Sequence, residues 1–165
     1  MRFTKIKYDG KQVELAWSEK KKSTEIIHTL SSKEQPDKEL GDSLSAFADF
    51  VERICQLPHA WMANVRVTSI SVNVEEKDGR LGLVITSQKK LIDANSPLVI
   101  NTPHLRQALK LGEEGPGFFL VAMEDAIERA ESAALGFVQG KRMQASFFDP
   151  AASKTESREL VGASS

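Results

Sequence analysis

Apolar and polar residues alternate from Phe3 to Tyr8, pause at Asp9-Gly10, and alternate again from Val13 to Trp17. A period of two marks a strand with one face buried. Asp-Gly between two such runs predicts a hairpin, because glycine accepts the positive φ that the turn needs. After Glu19-Lys20-Lys21-Lys22-Ser23 a third run extends from Glu25 to Leu30, and the polar stretch Ser31 to Pro36 ends it. The period then changes. Leu40, Leu44, Phe47, Val51 and Ile54 recur at helical spacing, with Phe50 and Leu57 widening the stripe. This predicts a helix that begins at Asp37 or Asp42, runs to Leu57 and is stopped by Pro58.

The second half follows the same order. Val65 to Val74 alternates, with Val65, Val67, Ser69 and Ser71 on one side and Thr68, Ile70, Val72 and Val74 on the other. Asp78-Gly79 forms a second turn. Leu81 to Thr86 is nearly continuous in apolar residues, which predicts a strand buried on both faces. Pro97 to Thr102 predicts a third strand, ended by Asn101-Thr102-Pro103, and Gly112 to Gly117 reads as a loop. A final helix runs from about Leu120 to Gln139 on a face of Leu120, Met123, Ile127, Ala130, Ala134 and Phe137 or Val138. Its alanines suit close approach to a sheet, and Gly140 is placed to end it in a left-handed conformation.

The expected class is therefore α+β: a mostly antiparallel sheet with two helices, in a pseudo-two-fold βββα repeat. The repetition lies in element order and in the two Asp-Gly turns, not in residue identity; three-strand units are common enough to arise twice by accident. One domain is expected over residues 1–142. Residues 143–165 read as a tail, and from Asp149 onward the tail is too poor in large apolar side chains to order itself.

At 165 residues the chain fits one domain, and its 41% hydrophobic content suffices for a core. The 22 basic and 23 acidic residues nearly cancel, which argues against a surface that coats nucleic acid generally. A local basic stripe is still allowed. With Cys55 as the sole cysteine no intrachain disulfide can form, which fits a reducing cytoplasm. The start of the chain does not read as a signal peptide, and no apolar stretch approaches a bilayer span.

Little in residues 1–142 points to a reaction. His28, His59 and His104 have no cysteine or carboxylate at metal-ligand spacing, so no metal or cofactor is expected. His104, at a strand end, is the best placed for chemistry. Cys55 reads as a small buried hydrophobe. Glu124, Asp125, Glu128 and Glu131 read as the solvated face of the last helix. Gly112 to Gly117 lacks the Lys-Ser/Thr that completes a phosphate loop. Basic clusters occur at Lys20-Lys21-Lys22, Lys89-Lys90 and Lys141-Arg142. If the first two shared one edge they would track a phosphate backbone, with Tyr8, Trp17 and Trp61 as stacking candidates for single-stranded DNA.

The strongest signal follows the last helix. Gln144-Ala145-Ser146-Phe147-Phe148 resembles the short peptides with which bacterial polymerases and repair proteins hold the DNA sliding clamp. Their pattern is glutamine, any residue, a small or acidic residue, a large apolar residue, then leucine or phenylalanine. Ala145 stands where leucine is frequent, and Phe147 where leucine or methionine is more usual. Two adjacent large side chains fill an apolar cleft, the Gln144 amide orients the peptide at its rim, and Ser146 satisfies a backbone group. The competing reading is that Phe147 and Phe148 fold back to cap their own core.

Trp61 to Leu105, with Val84-Ile85-Thr86-Ser87 and Asn95 to Leu105, followed by Gly140-Lys141-Arg142, is similar to a family of small uncharacterised proteins of bacteriophages and prophages. The resemblance implies a protein of the host bacterial cytoplasm working near phage DNA metabolism. The leading expectation is thus a non-enzymatic accessory protein of replication or recombination that engages the clamp. The alternatives are a DNA-binding or protein-interaction module without clamp binding, and an enzyme centred on His104.

Overall fold

The computed structural model describes residues 1–143. The pentapeptide and the tail that follows it lie outside the described residues.

Seven strands form one sheet: β1 (Arg2–Tyr8), β2 (Val13–Lys21), β3 (Thr24–Ser32), β4 (Val65–Val74), β5 (Leu81–Lys89), β6 (Leu98–Asn101) and β7 (Leu105–Arg106). Their order is β3-β2-β1-β4-β5-β6, with β7 also on β5, and every pairing between these strands is antiparallel. The helices are α1 (Lys38–Ser45), α2 (Ala48–Ile54) and α3 (Ala122–Val138), with a 3₁₀ turn at His59–Met62. The α+β class and the mostly antiparallel sheet are as expected; the order departs from a twice-repeated βββα in that the first helix is split into α1 and α2 and β7 is added.

The two halves meet at β1 and β4, where Ile6 pairs with Ile70 and is flanked by Lys5 with Ser71 and Lys7 with Ser69. Both isoleucines are fully buried. Burying each contributes about 1.5–3 kcal/mol. The repeat goes beyond element order. A bulge inserts Thr4 into β1 opposite β2, and another inserts Thr68 into β4 opposite β5. Phe3 pairs with Trp17 as Val67 pairs with Ser87, and Ile6 with Leu15 as Ile70 with Ile85. Matching registers with matching bulges define a pseudo-two-fold axis between Ile6 and Ile70.

The bulge at Thr68 also changes the alternation expected for β4. One extra residue moves Val67 onto the face of Ile70 and Val72, and all three are buried. That face carries the core, with Phe3, Leu15, Leu83 and Ile85 from the sheet against Leu40, Leu44, Phe47, Val51, Met123, Ile127 and Phe137 from the helices. The opposite face is polar and open. There Lys5 and Lys7 each reach Glu14 at 2.8 Å, and the Thr86 hydroxyl donates to the Asn101 amide oxygen at 2.8 Å. Consequently β5 is not buried on both faces: Leu83 and Ile85 are fully buried, whereas Val84 and Thr86 on the open face are only half-buried.

The helix expected up to Leu57 is broken. Ser43 Oγ donates to the Leu40 carbonyl and Ser45 Oγ to the Gly41 carbonyl, each at 2.9 Å, so side chains compete with the helical ladder. The chain tightens at Ala46 and Phe47, where the Phe47 amide donates to the Leu44 carbonyl, and α2 starts after Phe47, which is fully buried. α2 then stops before Pro58. Gln56 adopts φ 53°, the Gln56 amide donates to the Arg53 carbonyl, and the Leu57 amide donates to the Glu52 carbonyl. Such paired bonds satisfy the carbonyls that a helix end leaves free. The small residues of α3 serve a packing not expected from the sequence: the helix lies on α1 as well as on β1, with Ala130 and Ala134 fully buried. β7, two residues long, is too short to show a period, yet its Leu105 is buried.

Candidate functional site: the root of the C-terminal segment

The residues that lead to Gln144 are fixed by a chain of contacts beginning at the end of α3. The Gly140 amide donates to the Phe137 carbonyl at 3.1 Å and the Lys141 amide to the Gly136 carbonyl at 2.9 Å. Gly140 has φ 99°, which a residue with a Cβ adopts only under strain. Gly136 has no side chain to block the turn; a Cβ there would lie 2.9 Å from Lys141 Cδ. The sequence correctly marks Gly140 as the stop.

Arg142 then locks the direction of exit. Its Nε donates to Glu34 Oε2 at 2.6 Å and its Nη1 to the Phe137 carbonyl at 2.5 Å. The guanidinium lies 3.6 Å from the centre of the Phe137 ring. Arg142 and Pro36 form an antiparallel bridge, and the Met143 amide donates to the Gln35 carbonyl at 3.2 Å. Gln35 is itself held by the Tyr8 hydroxyl at 2.9 Å. The Lys141 ammonium lies 3.5 Å from Glu39. Lys141-Arg142, read from sequence as a loose basic cluster, is therefore a staple. The described residues extend one past the expected domain end. Beside it is an open hollow of about 320 Å³, with Leu44, Val67 and Tyr8 among the residues lining it and Met143 at its margin.

Gln144, Ser146, Phe147 and Phe148 lie outside the described residues. The structure describes the residues that precede them in the chain, not the four residues themselves.

The lysine clusters are not brought together. Lys20, Lys21 and Lys22 form the exposed β2–β3 tip, at the end of the sheet where β1 begins. Lys89 pairs with Val65 at the start of β4. Because β1 and β4 are antiparallel, the clusters occupy opposite ends. Lys89 is also engaged: its ammonium sits 4.4 Å from the Trp61 ring centre and donates to the carbonyls of Trp61 and Ala63. Lys90 is exposed beside it. Among the stacking candidates, Trp17 is buried, Tyr8 lies under the Arg66 guanidinium, and Trp61 is taken by Lys89. No shared stripe for a phosphate backbone results.

His104 Nε2 lies 3.1 Å from Asn73 Oδ1, an amide rather than the carboxylate a general base would need. Both side chains lie across Gly82, where a Cβ would come within 2.2 Å of each. The other histidines each lie near one carboxylate, which linear spacing did not show. His59 Nδ1 is 3.0 Å from Glu52, and His28, stacked on Trp17, has Nε2 3.6 Å from Glu19. The first contact spans a helix end and the second a strand pair, so linear spacing hides both. Cys55 caps α2, half-buried, and burial pushes its thiol up. Glu124, Asp125 and Glu128 are exposed along α3, and Glu124 accepts from Gln107 at 2.9 Å. Glu131 is half-buried, and burial raises its carboxyl above the usual range.

One charged cluster was not anticipated. Arg80 is only 7% exposed; it reaches Asp78 at 2.6 Å and Glu113 at 3.4 Å. Arg106 grips Glu75 through two 2.7 Å bonds. Glu113 also accepts the amides of Leu109 and Lys110. The network ties the β4–β5 turn to the loop after β7. Its sequence signal is the charged run Glu75 to Arg80, which reads equally well as a solvated turn. Each cation already has its carboxylate, so the cluster fastens the loop. No group of three or more metal-ligating side chains occurs among the described residues, and no helix among them is long and apolar enough to cross a membrane.

Comparisons with protein-family models, with characterised proteins and with solved structures return no match.

Proposed function

We propose that this chain is a phage-encoded, non-enzymatic accessory protein of DNA replication or recombination, working in the host bacterial cytoplasm. It engages the DNA sliding clamp through Gln144, Ser146, Phe147 and Phe148. The carrying observation is the staple at Arg142 and Met143, immediately before Gln144. A fixed root presents a peptide from a defined point and removes part of the ordering cost of binding. The pentapeptide supplies the anchors: two benzyl groups for an apolar cleft and an amide for its rim. A short peptide bound this way has modest affinity, which suits a partner that must also release.

The test is capture of purified bacterial clamp by the full chain and by a Phe147→Ala, Phe148→Ala double variant. The double variant is expected to lose capture while its thermal unfolding midpoint stays unchanged. Loss of folding in the double variant supports the rings capping their own core instead. Unchanged capture removes the proposal.

A further inference from the structure

The two outer edges of the sheet are built differently. β6 is four residues long and lies between Pro97 and Pro103, so another strand has little to pair with. β3 is nine residues long, and its register with β2 runs unbroken over nine pairs. It contains no proline, no bulge and no lysine, the usual devices that keep an edge from pairing. Among the described residues nothing pairs with its outer side.

The two-residue connection Lys22-Ser23 sets which backbone groups are free. Lys21 and Thr24 close the hairpin as a bonded pair, so Thr24, Ile26, His28, Leu30 and Ser32 bond inward to β2. Glu25, Ile27, Thr29 and Ser31 then direct their N–H and C=O groups outward. Ile27 is 72% exposed on the open face, a large apolar side chain beside this row of backbone groups.

We infer that β3 is a self-pairing edge, on which a second copy of this chain adds its own β3 antiparallel. One register uses all four outward residues, with the two-fold axis at His28. Ile27 then bonds opposite Thr29 of the second copy and Glu25 opposite Ser31. On the other face Ile26 meets Leu30, apolar against apolar, and the two copies' His28 rings face each other at the axis. Placing the axis at Glu25 instead sets two carboxylates side by side. The His28 register repeats the arrangement at β1 and β4, where the two halves of one chain already join antiparallel about a pseudo-two-fold axis. The inference does not depend on the clamp-binding reading: the staple adjoins the end of β3 at Glu34, but the outward groups of Glu25, Ile27, Thr29 and Ser31 take no part in it.

The test uses the full chain. Light scattering across a concentration series is expected to approach twice the 18.2 kDa of one chain. Backbone amides of Glu25, Ile27, Thr29 and Ser31 are expected to exchange at least about tenfold more slowly in concentrated than in dilute protein. Thr29→Pro removes an outward N–H and no bond to β2, so it is expected to remain folded and monomeric. Ile27→Lys gives a second variant should proline disturb the hairpin. A monomer at every concentration overturns the inference. So does a monomer whose four amides are protected, which would mean that another part of the chain covers the edge. A dimer untouched by both variants also overturns it, by placing the interface elsewhere.

Discussion

The two halves of the sheet share an inner framework and part company at their margins. Near the axis, Thr4 and Thr68 bulge alike, and Leu15 and Ile85 hold equivalent places. At the margins the hairpin tip is Lys22-Ser23 in one half, and in the other a loop containing Lys90 to Pro97. One outer edge is long and open, the other short and flanked by proline. Both helical segments end in the same pair of backbone bonds, but around Gln56 in the first half and Gly140 in the second. The framework is fixed because its residues share one core and one register; a change there is felt by every neighbour. The margins face water and are free to differ. The first half spends its exit on the connection to β4, and the second leads to the segment carrying the pentapeptide.

The largest effect tests whether the halves are one unit. Leu15→Ala and Ile85→Ala each remove a fully buried side chain from the same core and are expected to cost about 2–5 kcal/mol. Urea unfolding followed by tryptophan fluorescence and by circular dichroism should give one coincident transition for either variant. Two transitions would show that one half survives the loss of the other.

A smaller effect contrasts the helix ends. Gly140→Gln is expected to destabilise by about 1–2 kcal/mol, and Gln56→Gly to stabilise by about 1 kcal/mol, because only glycine takes positive φ without strain. Denaturation midpoints moving in opposite directions confirm the shared geometry; movement in the same direction refutes it.

The smallest effect separates the halves by pH. The Arg106 hydrogen bonds hold the Glu75 carboxyl below its usual range, and the Leu109 amide, with Arg80, does the same for Glu113. For Asp78, burial opposes ionisation, but its bonds to Arg80 leave the carboxyl lowered as well. Depressed carboxyls stabilise the fold above their unfolded values, near pH 4, and lose that contribution as pH falls through the folded values. The loop after β7 is therefore expected to loosen in acid before the β1–β2 hairpin does. Residue-resolved hydrogen exchange between pH 5 and about pH 3 checks the order. In the first half the comparison groups are Glu14, lowered by Lys5 and then Lys7 on the open face, and Asp9, lowered chiefly by the Lys11 amide in the β1–β2 turn.

Much of the framework was legible in the chain because a period of two and a period of 3.6 are hard to confuse over long runs. The departures have local causes that such periods do not register. A bulge at Thr68 looks like a lapse in alternation, and strict alternation puts Val67 on the wrong side of β4. Ser43 and Ser45 look like ordinary polar helix positions until their hydroxyls turn back on carbonyls. Lys89 and Lys141-Arg142 look like available charge, and only tertiary structure shows them spent on Trp61, Glu39 and Glu34. The candidate site divides the same way. The pentapeptide is legible in sequence and lies outside the described residues, whereas the staple that precedes it, from Glu34 to Arg142, joins residues too far apart in the chain for any motif to reveal.

The most direct measurement is a titration of the isotope-labelled full chain with purified clamp, followed by amide resonances. The account predicts that Gln144 to Phe148 shift or broaden at stoichiometric clamp while the residues of the sheet hold their positions. Shifts centred on the sheet, or a spectrum that clamp leaves unchanged, would contradict it.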